Sequence, residues 1–408
     1  MRSRNWGCWI AATLRLAPAV VMLLSASAAW AQAPAANPTV EIYGFGQADA
    51  IVDFKQTNPD WYDVARPSRL PSFENQYGED GRFYLSPRQS RFGARAASGD
   101  VKATFEFDMF GVGADAGQTT IRLRHAWGQY KKLGAGITNT QFMDADVFPN
   151  VLDYWGPNGM IFVRLTQVFW EPMTKPDGSN VRVAIEAPGA SGDAGVFADR
   201  VELQNVSGRY PSPDFTGHYR LAQKWGHVQL GGVLRYIAYD DKLPNDRFDL
   251  SGHVWGWGIS ASSNVKVTPS DTLRLQFVGG QGVENYFNDA PIDVGVARNP
   301  GNVVTPIVGQ ALQDIGLVLY LDHNWNSKWS TAAGYSRVDI DNSDLQAPSA
   351  YKSGQYASFN LLTTPAPNVM MGGEFQWTNR KNFSDGWSVN DYRMQFSFKY
   401  SFSAKVGG

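Results

Sequence analysis

The sequence predicts an all-β fold, a transmembrane antiparallel β-barrel of about sixteen strands. Three observations carry this. Segments of roughly ten residues alternate between apolar and polar side chains, as strands with two unlike faces do. Short turn-like links alternate with long loops. An export leader opens the chain, and beyond it no stretch approaches the roughly 18 consecutive apolar residues of a helical span. An exported chain that enters a membrane without helices must close its sheet, because only helices and closed barrels satisfy every backbone group in lipid.

Residues 1–31 read as the leader, a signal peptide. Arg2, Arg4 and Arg15 are its only charges, and "LAPAVVMLLSASAAWA" is a short apolar run ending in small residues. Ala29-Trp30-Ala31 fits a cleavage site with Gln32 as the mature start, and the run is too short for the ~20 residues of a membrane helix. The single cysteine, Cys8, lies inside the leader, so the mature chain is expected to hold no disulfide and no thiolate chemistry. The balance of 36 basic against 38 acidic residues implies no nucleic-acid partner.

After a short segment, 32–38, the barrel is expected over 39–402, with 403–408 as a C-terminal tail. It opens on "TVEIYGFGQADAIVDF". In "VKATFEFDMF", Val101, Ala103, Phe105, Phe107 and Met109 take one face, and Lys102, Thr104, Glu106 and Asp108 the other. "IRLRHAW" sets Ile121, Leu123 and Trp127 against Arg122 and Arg124, with His125 on the apolar side. "DTLRLQF" sets Leu273, Leu275 and Phe277 against Arg274 and Gln276, and "VMMGGEFQW" sets Val369, Met371, Phe375 and Trp377 against Glu374 and Gln376. In the closing "DYRMQFSFKYSF", Tyr392, Met394, Phe396, Phe398, Tyr400 and Phe402 should meet lipid or a neighbouring subunit, and Arg393, Gln395, Ser397 and Lys399 the lumen.

Short links are expected at 98–100, 131–132, 172–180, 224–226, 269–271, 324–328 and 365–368. Long ones are expected at 54–81, 111–118, 142–158, 188–212, 241–251, 283–313, 342–352 and 379–388. An even strand number with both ends on the short-turn side is the topology of a bacterial outer-membrane barrel, with short turns in the periplasm and long loops outside.

The polar faces carry the chemistry. Arg91, Arg95, Arg122, Arg124, Arg164, Arg182, Arg220, Arg235, Arg274 and Arg393 fall on them. A charge facing lipid costs about 2–4 kcal/mol at the midplane, which favours the lumen for these side chains. Rings of cations favour anion passage, and the guanidinium fork matches a carboxylate in two parallel bonds. Arg122 and Arg124 sit about 7 Å apart along a strand, a span suited to a small diacid. Pairing of such arginines with Glu106 and Asp108 next door stands as the other reading. The third long loop, 142–158, carries Asp144, Asp146 and Asp153 among Phe142, Phe148, Tyr154 and Trp155. Folded in against an arginine wall it would form a constriction with a transverse field. Trp127, Trp377, Tyr400 and Phe402 read as interface girdle, and Trp255 and Trp257 as an outward stripe.

Several stretches together resemble the DcaP-like porins: "RPSRLPSFENQYGEDGR" (66–82), "SPRQSRFG" (86–93), "FEFDMFGVGADAGQTTIRLRHAWG" (105–128) and "FMDADVFPNVLDYWGPNGM" (142–160). The resemblance implies an outer-membrane channel for dicarboxylates and related anions, a sixteen-stranded barrel that trimerises, and a third loop folded into the lumen. It also implies that Phe402 is the aromatic read by the barrel-assembly machinery. A coiled-coil segment often precedes the barrel in this family; here only about seven residues separate the cleavage site from the first strand.

Two other classes compete. A soluble secreted all-β binding protein would also alternate, but lacks a reason for the strand number, the short/long rhythm and the aromatic last strand. A barrel enzyme of lipase or protease type needs a nucleophile with an oriented base. His125, His218, His227, His253 and His323 fall on different strands, none in an H-x₃-H spacing, and there is no G-x-S-x-G elbow. No cofactor is implied. The sequence reading is a passive channel for small anions in the bacterial outer membrane.

Overall fold

The computed structural model describes residues 38–111, 120–243 and 247–407. The expected signal peptide and nearly all of segment 32–38 lie outside the described residues, as does most of the expected second long loop.

In chain order the strands are β1 Thr39–Asp53, β2 Arg82–Ser86, β3 Arg91–Ser98, β4 Val101–Asp108, β5 Arg122–Tyr130, β6 Leu133–Asn139, β7 Arg164–Thr174, β8 Asn180–Glu186, β9 Val206–Arg209 and β10 Asp214–Gln223. They continue with β11 Gly226–Asp241, β12 Gly252–Lys266, β13 Asp271–Gln281, β14 Val294–Arg298, β15 Ile307–Ala311, β16 Gln313–Asn324, β17 Trp329–Asp341, β18 Tyr351–Ala366, β19 Val369–Asn382 and β20 Ser388–Val406. β14 and β15 form a separate hairpin inside the sixth outer loop. All the others share one sheet. β2 and β3 both pair with β1, and β9 and β10 both pair with β11, so each couple is one interrupted strand. Antiparallel pairing of β1 with β20, from Val40 opposite Val406 to Asp53 opposite Arg393, closes the ring. The result is a closed barrel of sixteen antiparallel strands.

Closure removes every sheet edge, so the alternation along each strand is free to separate two solvents. On β20, Tyr392, Phe396, Phe398, Tyr400 and Phe402 are exposed on the outer wall, while Arg393, Gln395 and Ser397 are buried within. Trp255 and Trp257 also face out. Replacing Phe396 by Arg should weaken folding into bilayers by about 2–4 kcal/mol, because the charge would face lipid. Urea titration of the protein in vesicles reads this; an unchanged midpoint would put Phe396 somewhere other than the lipid face.

Three local expectations change. First, the chain does not leave the barrel at Phe402. β20 runs on to Val406, pairing Ser403 with Tyr43 and Lys405 with Glu41, so most of the expected tail is strand. Second, the eighth outer loop is only 383–387, because β19 reaches Asn382. The polar run "NRKN" (379–382) reads as loop, yet Arg380 and Asn382 are polar because they face loop 1. Arg380 donates to the carbonyl of Ser68 (3.0 Å), and Asn382 to that of Ser72 (2.9 Å). Third, β5 carries a β-bulge. Arg124 and His125 lie across from the single residue Glu106, and below it the faces swap. His125 therefore hydrogen-bonds Thr138 (3.1 Å) and is not on the apolar face. Trp127 packs edge-on against the buried Phe169 (6.1 Å), on the side of Gln167 and Glu171, and is no lipid girdle residue.

Candidate functional site

The barrel interior is shaped by three outer loops. Loop 3 (140–163) leaves β6 and crosses to the far wall. There Ile161 N donates to Gln276 of β13 (3.0 Å), Gly159 N to Ser336 of β17 (2.8 Å), and Asn158 to the carbonyl of Gly354 on β18 (2.9 Å). One carboxylate, Glu374 of β19, accepts both Leu152 N (2.7 Å) and Asp153 N (3.1 Å). Loop 6 (282–312) runs alongside. Phe162 N bonds Tyr286 O (3.0 Å), Asn288 N bonds Met160 O (2.8 Å), and Ile161 bridges Phe287. Loop 1 (54–81) joins them through Arg66, which donates to Asp289 of loop 6 (2.8 Å), with its guanidinium 4.2 Å from the ring centres of both Trp61 and Trp155.

The acidic residues of loop 3 tether it. Asp144 accepts from His227 (2.6 Å), Ser262 (2.7 Å) and Arg220 (3.3 Å). Burial raises its pKa, but these contacts overcome that and hold it below the usual carboxylate range. Asp146 pairs with Arg220, and its backbone oxygen takes bonds from Arg274 and Asn264. Asp153 accepts Ala65 N (3.1 Å) and Gly156 N (2.8 Å) and is 2% exposed. Burial pushes its pKa up to about 7, against the opposing pull of Arg393. Of the three expected acids, Asp144 and Asp146 do meet an arginine, Arg220, while Asp153 is sealed into loop contacts.

Of the ten polar-face arginines, Arg182, Arg220 and Arg235 pair with Glu171, Asp144 and Asp214, and the other seven divide. Arg122 makes a two-pronged bond to Asp108 (3.1 and 2.9 Å), and Arg124 bridges Glu106 (2.7 Å) and Asp108 (2.9 Å). Tyr154 from loop 3 donates to the same Asp108 (2.6 Å) and contacts both arginines. The paired reading holds for these two, and Arg124 is only 5% exposed, so it is not an open lumen cation. Arg393 is 2% exposed, 3.8 Å from Asp53 and bonded to the carbonyl of Tyr62 (2.6 Å), so it fastens loop 1 and does not line an open lumen. Arg274 pairs with Asp322 (2.5 Å) and holds loop 3. Arg91 lies 3.6 Å from Glu106 and over Phe45; Arg95, well exposed, lies 3.6 Å from Glu41 and over Tyr43. Arg164 has no ion-pair partner among the described residues; its guanidinium sits 5.5 Å from the Phe162 ring centre, and its Nη1 is buried without a hydrogen-bond partner.

Arg164 opens onto a cavity of about 420 Å³ between loops 1, 3 and 6, whose lining includes Arg66, Arg69, Arg122 and Arg164 and, among the described residues, no carboxylate. Arg66 and Arg122 are paired, while Arg69, like Arg164, lacks an acid among the described residues, and its Nε is buried without a partner. Sequence reasoning missed Arg66 and Arg69 because loop residues have no face to assign. The available signal was two arginines around Pro67, five and eight residues beyond Trp61, in a loop too long for a mere link.

The histidines serve packing. His218 bonds the carbonyl of Gln141 (2.9 Å), and His323 bonds Asp271 (2.6 Å). Ser262, His227 and Asp144 do meet, but Ser262 and His227 both point at Asp144 Oδ2, so the imidazole does not face the hydroxyl and the group is not a serine nucleophile with a histidine base. No cluster of metal-ligating side chains occurs among the described residues.

A closed barrel with polar interior, apolar belt and inward-folded loops defines an outer-membrane porin, a channel protein. The family model described as DcaP outer membrane protein matches residues 28–402, and the chain belongs to that family. Among solved structures, the outer membrane channel DcaP of Acinetobacter baumannii is 20% identical, covering 90% of this chain and 97% of its own, with a TM-score of 0.71. An anion-selective porin from Comamonas acidovorans is 10% identical, covers 90% and 100%, and has a TM-score of 0.57. OmpT of Vibrio cholerae, in its trimer form, is 11% identical, covers 90% and 99%, and has a TM-score of 0.53. No curated protein sequence matches. Family and fold point to a channel and away from an enzyme.

Proposed function

We propose that this porin is a passive, anion-preferring diffusion channel for small carboxylates, dicarboxylates among them. The observation that carries the reading is the cavity with four arginines and, among the described residues, no acid on its lining and no carboxylate partner for two of the guanidinium groups. A low-dielectric pocket with uncompensated cations attracts an anion far more strongly than water does. The paired arginines keep their geometry through Asp108 and Asp289, so the free ones stand in a fixed frame. Loop 3, with loop 6 beside it, acts as the constriction that brings solutes past them. Assembly as a homotrimer, delivery by the barrel-assembly machinery and removal of residues 1–31 on export belong to the same reading.

The test is the reversal potential of the reconstituted channel under a potassium chloride gradient. A sign showing chloride more permeant than potassium is expected, with block by millimolar succinate. Cation preference, or absence of conductance steps, would overturn the proposal.

A further inference from the structure

The sixth outer loop rests on two buried carboxyl groups. Glu284, in the 3-10 turn Glu284–Tyr286, is 0% exposed, and Asp314, second residue of β16, is 2% exposed. All four of their side-chain oxygens are buried and no side chain donates to any of them; the backbone N–H of Val283 faces Asp314. The groups facing them are already committed. Arg235 of β11 is 1% exposed and is shared between Asp214 of β10 (2.9 Å) and Asp293 of loop 6 (2.8 Å), with the carbonyl of Gly282 at 2.6 Å. Tyr286 donates its hydroxyl hydrogen to Asp214 (2.9 Å). Glu186 of β8 is satisfied by Thr140 (2.8 Å), Gln141 N (2.9 Å) and Thr216 (2.7 Å). One guanidinium thus faces Asp214, Asp293, Glu284 and Asp314. A buried carboxylate with no side-chain donor and only a share of one counter-charge is costly to keep ionised, and such a group takes up a proton instead.

We propose that Glu284 and Asp314 form a proton-holding pair that docks segment 282–293 of loop 6 onto β16, so that proton loss at alkaline pH undocks the segment and widens the lumen. This rests on the reading of the lumen as a diffusion path, and not on its preference for anions. The two sides of the contact differ in how firmly they are held. Asp314 belongs to the barrel ladder, where it lies opposite Gly280 and Ile340. Glu284 belongs to a loop outside the barrel ladder, held by Gly282 N to Leu312 O (2.7 Å), Leu312 N to Asp293 O (3.0 Å), the bonds to loop 3, the Arg66–Asp289 and Arg235–Asp293 pairs, the Tyr286 hydroxyl on Asp214 and the buried side chains of Val283, Tyr286 and Phe287. Repulsion between new charges would therefore move the loop and leave the strand. Burial, then the neighbouring Asp314 and Asp293, raises the Glu284 pKa well above the usual carboxylate value. The sign follows: an acid with a raised folded pKa supports the docked state while protonated, and that support is lost as pH rises through the raised value.

The experiment uses the full chain refolded into planar bilayers, with single-channel conductance recorded from pH 6 to pH 10. The wild-type conductance should rise reversibly toward the alkaline end. E284Q/D314N, which cannot lose these protons, should stay flat. Either single amide variant serves if the double one lacks a heat-shifted gel band. A flat wild type, or a rise that survives in the amide variant, overturns the proposal. So does a rise produced at pH 7 by EDTA and reversed by calcium, since a cation and not a proton would then hold the pair. The reversal potential in the same recordings reports anion preference separately: its loss would sink the proposed solute class and leave the pH arm standing.

Discussion

Replacing Arg69 and Arg164 together by alanine should bring the anion-to-cation permeability ratio close to unity and weaken carboxylate block by roughly 100-fold or more. Each is a free guanidinium on the lining of the cavity. A hydrogen bond to a charged group is worth about 1.5–3 kcal/mol, and each 1.4 kcal/mol is tenfold in affinity, so two such groups supply at least about two decades. Neither has an acid among the described residues, so the double variant leaves no carboxylate stranded and should keep its heat-shifted gel band. That separates it from Arg122→Ala with Arg124→Ala. There the cations removed belong to Glu106 and Asp108: Asp108 would lose both its ion-pair partners, and Glu106 would keep only Arg91 at 3.6 Å. Breaking a buried pair from one side costs about 3–5 kcal/mol. The Arg122/Arg124 variant should thus lose stability and turn the pore toward cations, through the acids it uncovers. If R69A/R164A keeps full anion preference and block, the solute path does not run past these two residues.

Substituting Glu374 by alanine should release the middle of loop 3 and raise single-channel conductance, with larger current fluctuations. The one carboxylate accepts two backbone N–H groups of the loop, and Asn360 (2.9 Å) and Gln376 (2.9 Å) besides. Its loss orphans Leu152 N and Asp153 N in a buried place, at about 1–3 kcal/mol each. Loop 3 keeps its tethers at Asp144 and Ile161, so the crossing should loosen at its centre and the barrel should still form. Glu374→Gln retains one acceptor oxygen and should fall between. Conductance unchanged in Glu374→Ala would show that loop 3 is held in place by its packing alone.

How far the sequence revealed the site depends on where each residue sits. Strand residues were legible because alternation assigns them a face: Glu374, Gln376 and Arg274 were all placed inward by counting in twos, and the structure puts Glu374 and Gln376 in the buried interior and Arg274 against loop 3. Arg393 was placed on the correct face too, but a face says nothing of what covers it, and the carbonyl of Tyr62 does. The count failed at β5, where one extra residue at Arg124–His125 reversed the faces below it. Loop residues were illegible in this way. Nothing periodic marks Arg66, Arg69, Glu284 or Asp289, and their meeting depends on segments more than 200 residues apart along the chain, as in the bond from Arg66 to Asp289.

The sequence by itself determined the barrel: its closure, its strand number of about sixteen and, apart from the bulged β5, which face meets lipid. These follow from local rules, a period of two along each strand and turn chemistry between strands, enforced by a membrane that tolerates no unpaired backbone. Only the tertiary structure decided which charges inside are free. That is a matter of pairing across distant loops, where a buried cation keeps its field only if no acid reaches it, and sequence spacing does not report that reach. Asp108 reaches Arg122 and Arg124, and Asp289 reaches Arg66, while among the described residues no acid pairs with Arg69 or Arg164 beside the same cavity.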